Sequence, residues 1–264
     1  MKLFAALLAA LFLTACATTP PAPPAAVNDL ALTGKLRAGI NLGNGVVATR
    51  DAATGKTTGI AVTIARELGK RLGVPVEYVV FDQAREAVDA MQAGKIDVVF
   101  VAIEPARSAV IDFTAPYAEI AGTYAVPPGS PIQRNEDVDR AGVRITVVAR
   151  SNYDLFLTRT LKNAQLMRTE TTKGSEEEFV ARKVDVYAGV KQRAEDAIAR
   201  LPGAHLLPGQ FMAIRQAIGM SKGRAAGLAY LKDFVEDIKA SGLVAREIEA
   251  EGLKDASVAP MVNK

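Results

Sequence analysis

Ala93-Gly94-Lys95-Ile96-Asp97-Val98 and Ala181-Arg182-Lys183-Val184-Asp185-Val186 repeat one pattern in two halves of the chain. Each opens an apolar run, Ile96 to Val101 and Val184 to Ala188, that reads as a fully buried strand. Upstream of the first, Glu86 to Ala93 reads as a helix ended by Gly94, and Val76 to Phe81 as a strand. Ile60, Ile64, Leu68 and Leu72 form the buried stripe of a helix stopped by Gly73 and Pro75, and Lys35 to Ile40 is the opening strand. Upstream of the second echo the same order recurs: strand Arg144 to Val148, helix Asn152 to Leu161, strand Gln165 to Arg168, helix Ser175 to Arg182. The repeated plan predicts an α/β chain of two similar lobes.

Ala121 to Val126, followed by Pro127-Pro128-Gly129 and Pro131, reads as a first crossing between the lobes. Ala213 to Met220 carries the chain back, and helices over Ala225 to Ala240 and Val244 to Glu251 complete the first lobe. The expected division is 34–121 with 217–264 for lobe one and 122–216 for lobe two. Two crossings make a hinge with a cleft between the lobes, and such pairs close around ligands.

Composition narrows the chemistry. With 49% hydrophobic residues the chain must bury a core, which excludes a disordered protein. The 32 basic residues nearly balance the 29 acidic ones and are scattered, so no nucleic-acid partner is expected. A single cysteine, Cys16, and a single histidine, His205, exclude a disulfide, a thiolate zinc site and a multi-histidine metal site, and no metal or cofactor is expected.

Lys2 and the apolar run Leu3 to Leu13 read as a secretory signal over 1–15, too short to span a membrane. Leu13-Thr14-Ala15-Cys16 looks like a bacterial lipobox, which makes Cys16 the expected lipidated first residue and the membrane a partner through that anchor. Residues 16–33, Pro-rich up to Ala26, read as an extended tether. Ala17 leaves inner and outer membrane sorting both open.

In open parallel sheets ligands sit beyond the carboxyl ends of the strands. Those ends are the loops beginning at Asn41, Ala102, Ala149 and Gly189. Arg107 is the leading candidate for ligand contact, because its planar guanidinium gives a carboxylate two parallel hydrogen bonds; its alternative is a local pair with Glu104. Across the cleft Ser151, Asn152 and Tyr153 open a helix whose N–H groups suit an anion, the alternative being a helix cap alone. Tyr117, Tyr153 and Tyr187 offer either stacking faces or packing, and Glu176-Glu177-Glu178 read as acids at the start of a helix, meeting its dipole.

Several segments together resemble the type II periplasmic solute-binding proteins of the polar amino-acid ABC transporter class (extracellular solute-binding protein family 3). They are Gly34-Lys35-Leu36-Arg37-Ala38-Gly39-Ile40, Gly59-Ile60-Ala61-Val62 leading to Ala65-Arg66-Glu67-Leu68-Gly69-Lys70-Arg71-Leu72-Gly73, and Gly94-Lys95-Ile96-Asp97-Val98-Val99. Pro105-Ala106-Arg107, Ile111-Asp112-Phe113-Thr114-Ala115-Pro116-Tyr117 and Lys239-Ala240-Ser241-Gly242 complete the set. The resemblance implies a monomeric, periplasmic, non-enzymatic lipoprotein that binds a small carboxylate-bearing solute and delivers it to an ABC permease. It implies that Arg107 holds the carboxylate, helped by the Ser151–Asn152 turn.

The chain departs from that pattern at Gly59-Ile60-Ala61, in a shortened loop around Glu104-Pro105-Ala106-Arg107, and at Val190, where members that bind an α-ammonium often carry Asp. Glu104 is therefore expected to hold a ligand cation, with Asn41, Asn44 and Ala102 as further contacts. Two alternatives belong to other classes: a periplasmic enzyme similar to cyclohexadienyl dehydratase with Glu104 as its acid, and a sensory binding module.

Overall fold

The computed structural model describes residues 21–262. The signal over 1–15, Cys16 and the first part of the tether lie outside them. The described residues begin with a helix, α1 (Pro24–Leu30), where the tether was expected to be extended. Pro24 stands at the first helical position, where a missing N–H costs nothing, and Ala26 and Leu30, four apart, are buried. The proline-rich lead-in hid this short amphipathic turn.

Strand β1 (Leu36–Asn41) is followed by a two-stranded ribbon, β2 (Thr49–Arg50) and β3 (Thr57–Thr58). Helix α2 (Ile60–Leu72) ends where Gly73 adopts φ 69°, a left-handed conformation natural to glycine. Then come β4 (Val76–Phe81), α3 (Ala84–Gln92) and β5 (Val98–Ala102). A single turn, α4 (Pro105–Ser108), and β6 (Ile111–Phe113) lead to the long β7 (Ala118–Val126).

The second half is β8 (Arg144–Val148), α5 (Asn152–Thr160), β9 (Gln165–Thr169), α6 (Thr172–Val180) and β10 (Val186–Val190). Helix α7 (Lys191–Ala199) and β11 (His205–Leu206) precede the return strand β12 (Met212–Ser221). Helices α8 (Ala225–Ala240) and α9 (Leu243–Ala250) and strand β13 (Ala256–Val258) end the chain.

The large sheet runs β4-β1-β5-β12-β7-β10-β8-β9. In lobe one β4, β1 and β5 are parallel; in lobe two β9, β8 and β10 are parallel. The crossing strands β7 and β12 pair antiparallel at 118–122 with 212–216. Beyond that shared stretch they part, β12 continuing along β5 and β7 along β10. The two lobes therefore share one hinge of two antiparallel strands, and β13 adds to it by pairing with Ala118 to Ile120.

Helix α1 docks on α8: the Asp29 carboxylate accepts from the Gly227 N–H at 2.9 Å in the first turn of α8. An acid at a helix start satisfies a free N–H and meets the positive end of the dipole. Glu176, Glu177 and Glu178, expected at a helix start, instead lie past the first turn of α6, which begins at Thr172 with Thr171 as its cap. Their partners are cations, Arg200 for Glu176, Lys173 for Glu177 and Lys183 for Glu178. Thr171 is the better cap because its hydroxyl accepts from the Gly174 N–H at 3.0 Å.

Candidate functional site

The carboxyl ends of the parallel strands of both lobes face one cleft. About 430 Å³ of space, mouth included, lies between its walls, and Arg107 of one lobe reaches the Arg150 carbonyl of the other at 3.2 Å. The lobes are closed against each other.

Lobe one supplies the floor. After β1 the chain turns through Asn41 and Asn44, both buried. The Asn41 side-chain oxygen accepts from Gly43 N–H at 2.9 Å and that of Asn44 from Val46 N–H at 3.1 Å, so each side chain holds its own turn. At the end of β5, Ala102 lines the cleft, and α4 begins with Glu104 as its cap and Pro105 at the first position. This short turn aims Arg107 inward.

Arg107 is only 4% exposed. Its Nη1 donates to the Ala102 carbonyl at 2.9 Å and its Nη2 to the Arg150 carbonyl of lobe two at 3.2 Å. Desolvation, with Glu104 pulling the other way and Arg150 repelling, pushes its pKa down to about 10. The group stays cationic at neutral pH, bonded through these two contacts to neutral carbonyl oxygens. A buried cation so placed gains from an anion that can approach it.

Lobe two supplies the opposing wall. Arg150 has a φ of 58°, left-handed for a residue with a side chain. Its N–H is held by the Asp154 carboxylate at 2.8 Å, and Ser151 caps α5 by accepting from Asp154 N–H at 3.1 Å. The turn presents Ala149, Ser151, Asn152 and Tyr153 to the cleft. The Asn152 side-chain nitrogen is buried without a hydrogen-bond partner, as is the side-chain oxygen of Gln216 on the hinge strand. Tyr153 is buried, and its hydroxyl is pushed up to about 12, chiefly by desolvation. Val190, at the end of β10, completes this side.

Asn41, Asn44, Ala102, Arg107, Ser151, Asn152, Tyr153 and Val190 all line the one cleft. Glu104 does not. Its carboxylate accepts from Ala106 N–H at 2.9 Å and pairs with Arg159 of α5, away from the space between the walls. The expected cation-holder is thus a cap and a bridge between lobes, because a carboxylate at the start of α4 finds a backbone N–H and an arginine nearer than the cleft. Tyr117 and Tyr187 are packing residues, edge-on to Phe100 and Phe179.

The sequence reading missed Gly43, Gln83, Ala84, Arg85 and Gln216. Gln83 to Arg85 follow β4, whose carboxyl end the strand-end rule covers equally well, so that signal was present. Gln216 sits in a crossing strand, where nothing distinguishes a cleft position from a packing one.

Ion pairs span the rim between the lobes. Arg85 meets Glu170 at 2.8 Å, Asp89 meets Arg150 at 2.7 Å, and Glu104 meets Arg159.

The sequence pattern that defines the bacterial extracellular solute-binding proteins, family 3, matches residues 45–250. Among solved structures, the ancestral amino acid-binding protein AncCDT-1, a precursor of cyclohexadienyl dehydratase, is similar at 22% identity and a TM-score of 0.72, over 85% of this chain and 97% of that one. The P235GK mutant of ArgBP from T. maritima is similar at 20% identity and 0.73, over 86% and 99%. A putative ABC transporter binding component from Wolinella succinogenes DSM 1740, complexed with lysine, is similar at 21% and 0.72, over 83% and 95%. No curated protein sequence is significantly similar to the chain.

Proposed function

The chain belongs to the bacterial extracellular solute-binding proteins of family 3, and we propose that it is the receptor of an ABC importer, closing its lobes on a small carboxylate-bearing solute, an amino acid or a derivative. The observation that carries this is Arg107. A buried guanidinium, bonded to one carbonyl from each lobe, stands opposite the start of α5. An acid group between them exchanges neutral acceptors for a charged one and gains the positive end of the helix, and the second gain requires the lobes to be together.

Closure then creates a joined surface for a permease to read. A signal over 1–15 exports the chain, and a lipid on Cys16 holds the monomer at a membrane in the periplasm. Binding without turnover is favoured over proton-transfer chemistry because no carboxylic acid lines the cleft among the described residues.

A thermal-shift screen of amino acids and organic acids, followed by calorimetry, tests the proposal. The expected result is one-to-one binding with no consumption of the solute. Arg107→Met weakens it about a hundredfold or more, the loss expected when a buried charged hydrogen-bond partner is removed. Silence across the whole panel, or steady conversion of the solute, contradicts it.

A further inference from the structure

We infer that the cleft takes a small solute with two acidic groups and no free ammonium, an inference that rests on the solute-binding reading above. Charge is the first ground. Two guanidinium side chains, Arg107 and Arg85, line the cleft, and no carboxylate lines it among the described residues. Three acids near its walls are turned to protein partners. Asp154 holds Arg150 N–H and the Arg168 guanidinium; Glu104 holds Ala106 N–H and Arg159; Asp89 holds Arg150.

The two cations stand at different depths. Arg107 is deep, hydrogen-bonded to two carbonyl oxygens. Arg85 is at the mouth, its side chain 16% exposed and paired with Glu170, which is 81% exposed. A carboxylate in open water is a weak competitor for a guanidinium, since solvent screens the pair and the side chain loses freedom in making it. A second acid group on the solute therefore displaces Glu170 from Arg85 while the first sits on Arg107.

The neutral groups point the same way. The side-chain oxygens of Asn41 and Asn44 are used by Gly43 and Val46 N–H, which leaves their amide nitrogens as the ends not tied to a turn. The unpartnered buried nitrogen of Asn152 is a donor as well. Against these stands the Gln216 oxygen, a buried acceptor without a partner. One amide oxygen, with room for at most two hydrogen bonds, does not balance a buried ammonium with three protons and a full charge, beside two fixed cations.

Calorimetry on the mature chain with matched solutes separates the two parts of the claim. 2-Oxoglutarate and glutamate differ in the ammonium; glutamate and glutamine differ in the second acid group. 2-Oxoglutarate or succinate is expected to bind at least about tenfold more tightly than glutamate, and glutamate more tightly than glutamine, arginine or lysine. Arg85→Gln is expected to weaken 2-oxoglutarate by roughly tenfold more than it weakens butyrate, which has a single acid group. Glu170→Gln, which frees Arg85, tightens 2-oxoglutarate.

Glutamine, arginine or lysine binding as tightly as 2-oxoglutarate overturns the inference and leaves the receptor reading standing. So does glutamate matching 2-oxoglutarate, or Arg85→Gln changing all solutes equally. If none of these solutes binds, the inference fails, and the receptor reading fails with it only if the wider panel is silent too.

Discussion

In lobe one the backbone N–H and guanidinium of Arg37, on β1, grip the Asp97 carboxylate with three hydrogen bonds of 2.7–3.0 Å, and Asp97 N–H returns one to the Arg37 carbonyl at 2.8 Å. In lobe two Arg144, on β8, grips Asp185 through the same atoms at 2.9–3.3 Å, and Asp185 N–H returns to the Arg144 carbonyl at 2.9 Å. Even the turns before them match. Gly94 at φ 67° and Arg182 at φ 58° are both left-handed, and Lys95 and Lys183 N–H close the preceding helix to Ala90 and Glu178 carbonyls. The sequence echo that reveals two lobes is therefore a clamp between the starts of neighbouring parallel strands, at the end of each sheet away from the cleft.

At the other ends the lobes diverge. Lobe one turns through α4 and aims a guanidinium inward, whereas lobe two opens a helix with Ser151 as cap. The repeated end is scaffold, and the ends that differ line the cleft. Burial also separates the clamps: the Asp97 side chain has 0% exposure, and that of Asp185 40%.

The largest difference between the lobes should appear on Asp97→Asn, which leaves Arg37 without its partner where no water reaches the carboxylate. We expect a loss of about 3 kcal/mol in denaturant unfolding. Gly94→Ala follows, at about 1 kcal/mol, because only glycine takes that φ without strain. Asp185→Asn is expected to cost about 0.5 kcal/mol, as for other exposed pairs. Equal losses at Asp97 and Asp185 would break the comparison.

The smallest effect has the opposite sign. Arg182→Gly relieves a left-handed side-chain residue and should stabilise the fold by about 0.5 kcal/mol, measured in the same way.

Acid titration sharpens the lobe-two clamp. Burial pushes the Asp185 carboxyl up, but the hydrogen bonds and charge of Arg144 outweigh it and hold the group below its ordinary value of 3.8. A depressed folded value contributes stability above the unfolded pKa and loses it as pH falls through the folded one, so this increment disappears below about pH 4. Asp185→Asn should remove that part of the acid dependence: its cost of about 0.5 kcal/mol is present at pH 7 and fades as pH falls below about 4.

Most of the architecture was legible because strand and helix periods are local. β4, β8 and α8 begin and end where the apolar pattern does, and α2 begins at Ile60 and stops before Gly73. α1 was hidden because proline at a first helical position and proline in an extended tether look alike in sequence. α7 was hidden because Lys191 to Ala199 buries only Ala194 and Ala197, too few apolar positions to mark a period. Arg107 and the start of α5 line the cleft where the strand-end rule puts them, a rule that needs only the order of elements. Glu104 misled because proximity in sequence to Arg107 says nothing of which neighbour its carboxylate meets, and Arg159 lies 55 residues away.

A lipid on Cys16 is checked separately: Cys16→Ser should move the mature protein from the membrane fraction to the soluble one.

A crystal structure of the protein grown with its tightest-binding solute tests the central claim most directly. An acid group of that solute should lie within hydrogen-bond distance of the Arg107 guanidinium, with the first turn of α5 on its other side. A solute bound elsewhere, or one in the cleft whose acid group leaves Arg107 on its carbonyl partners alone, would contradict it.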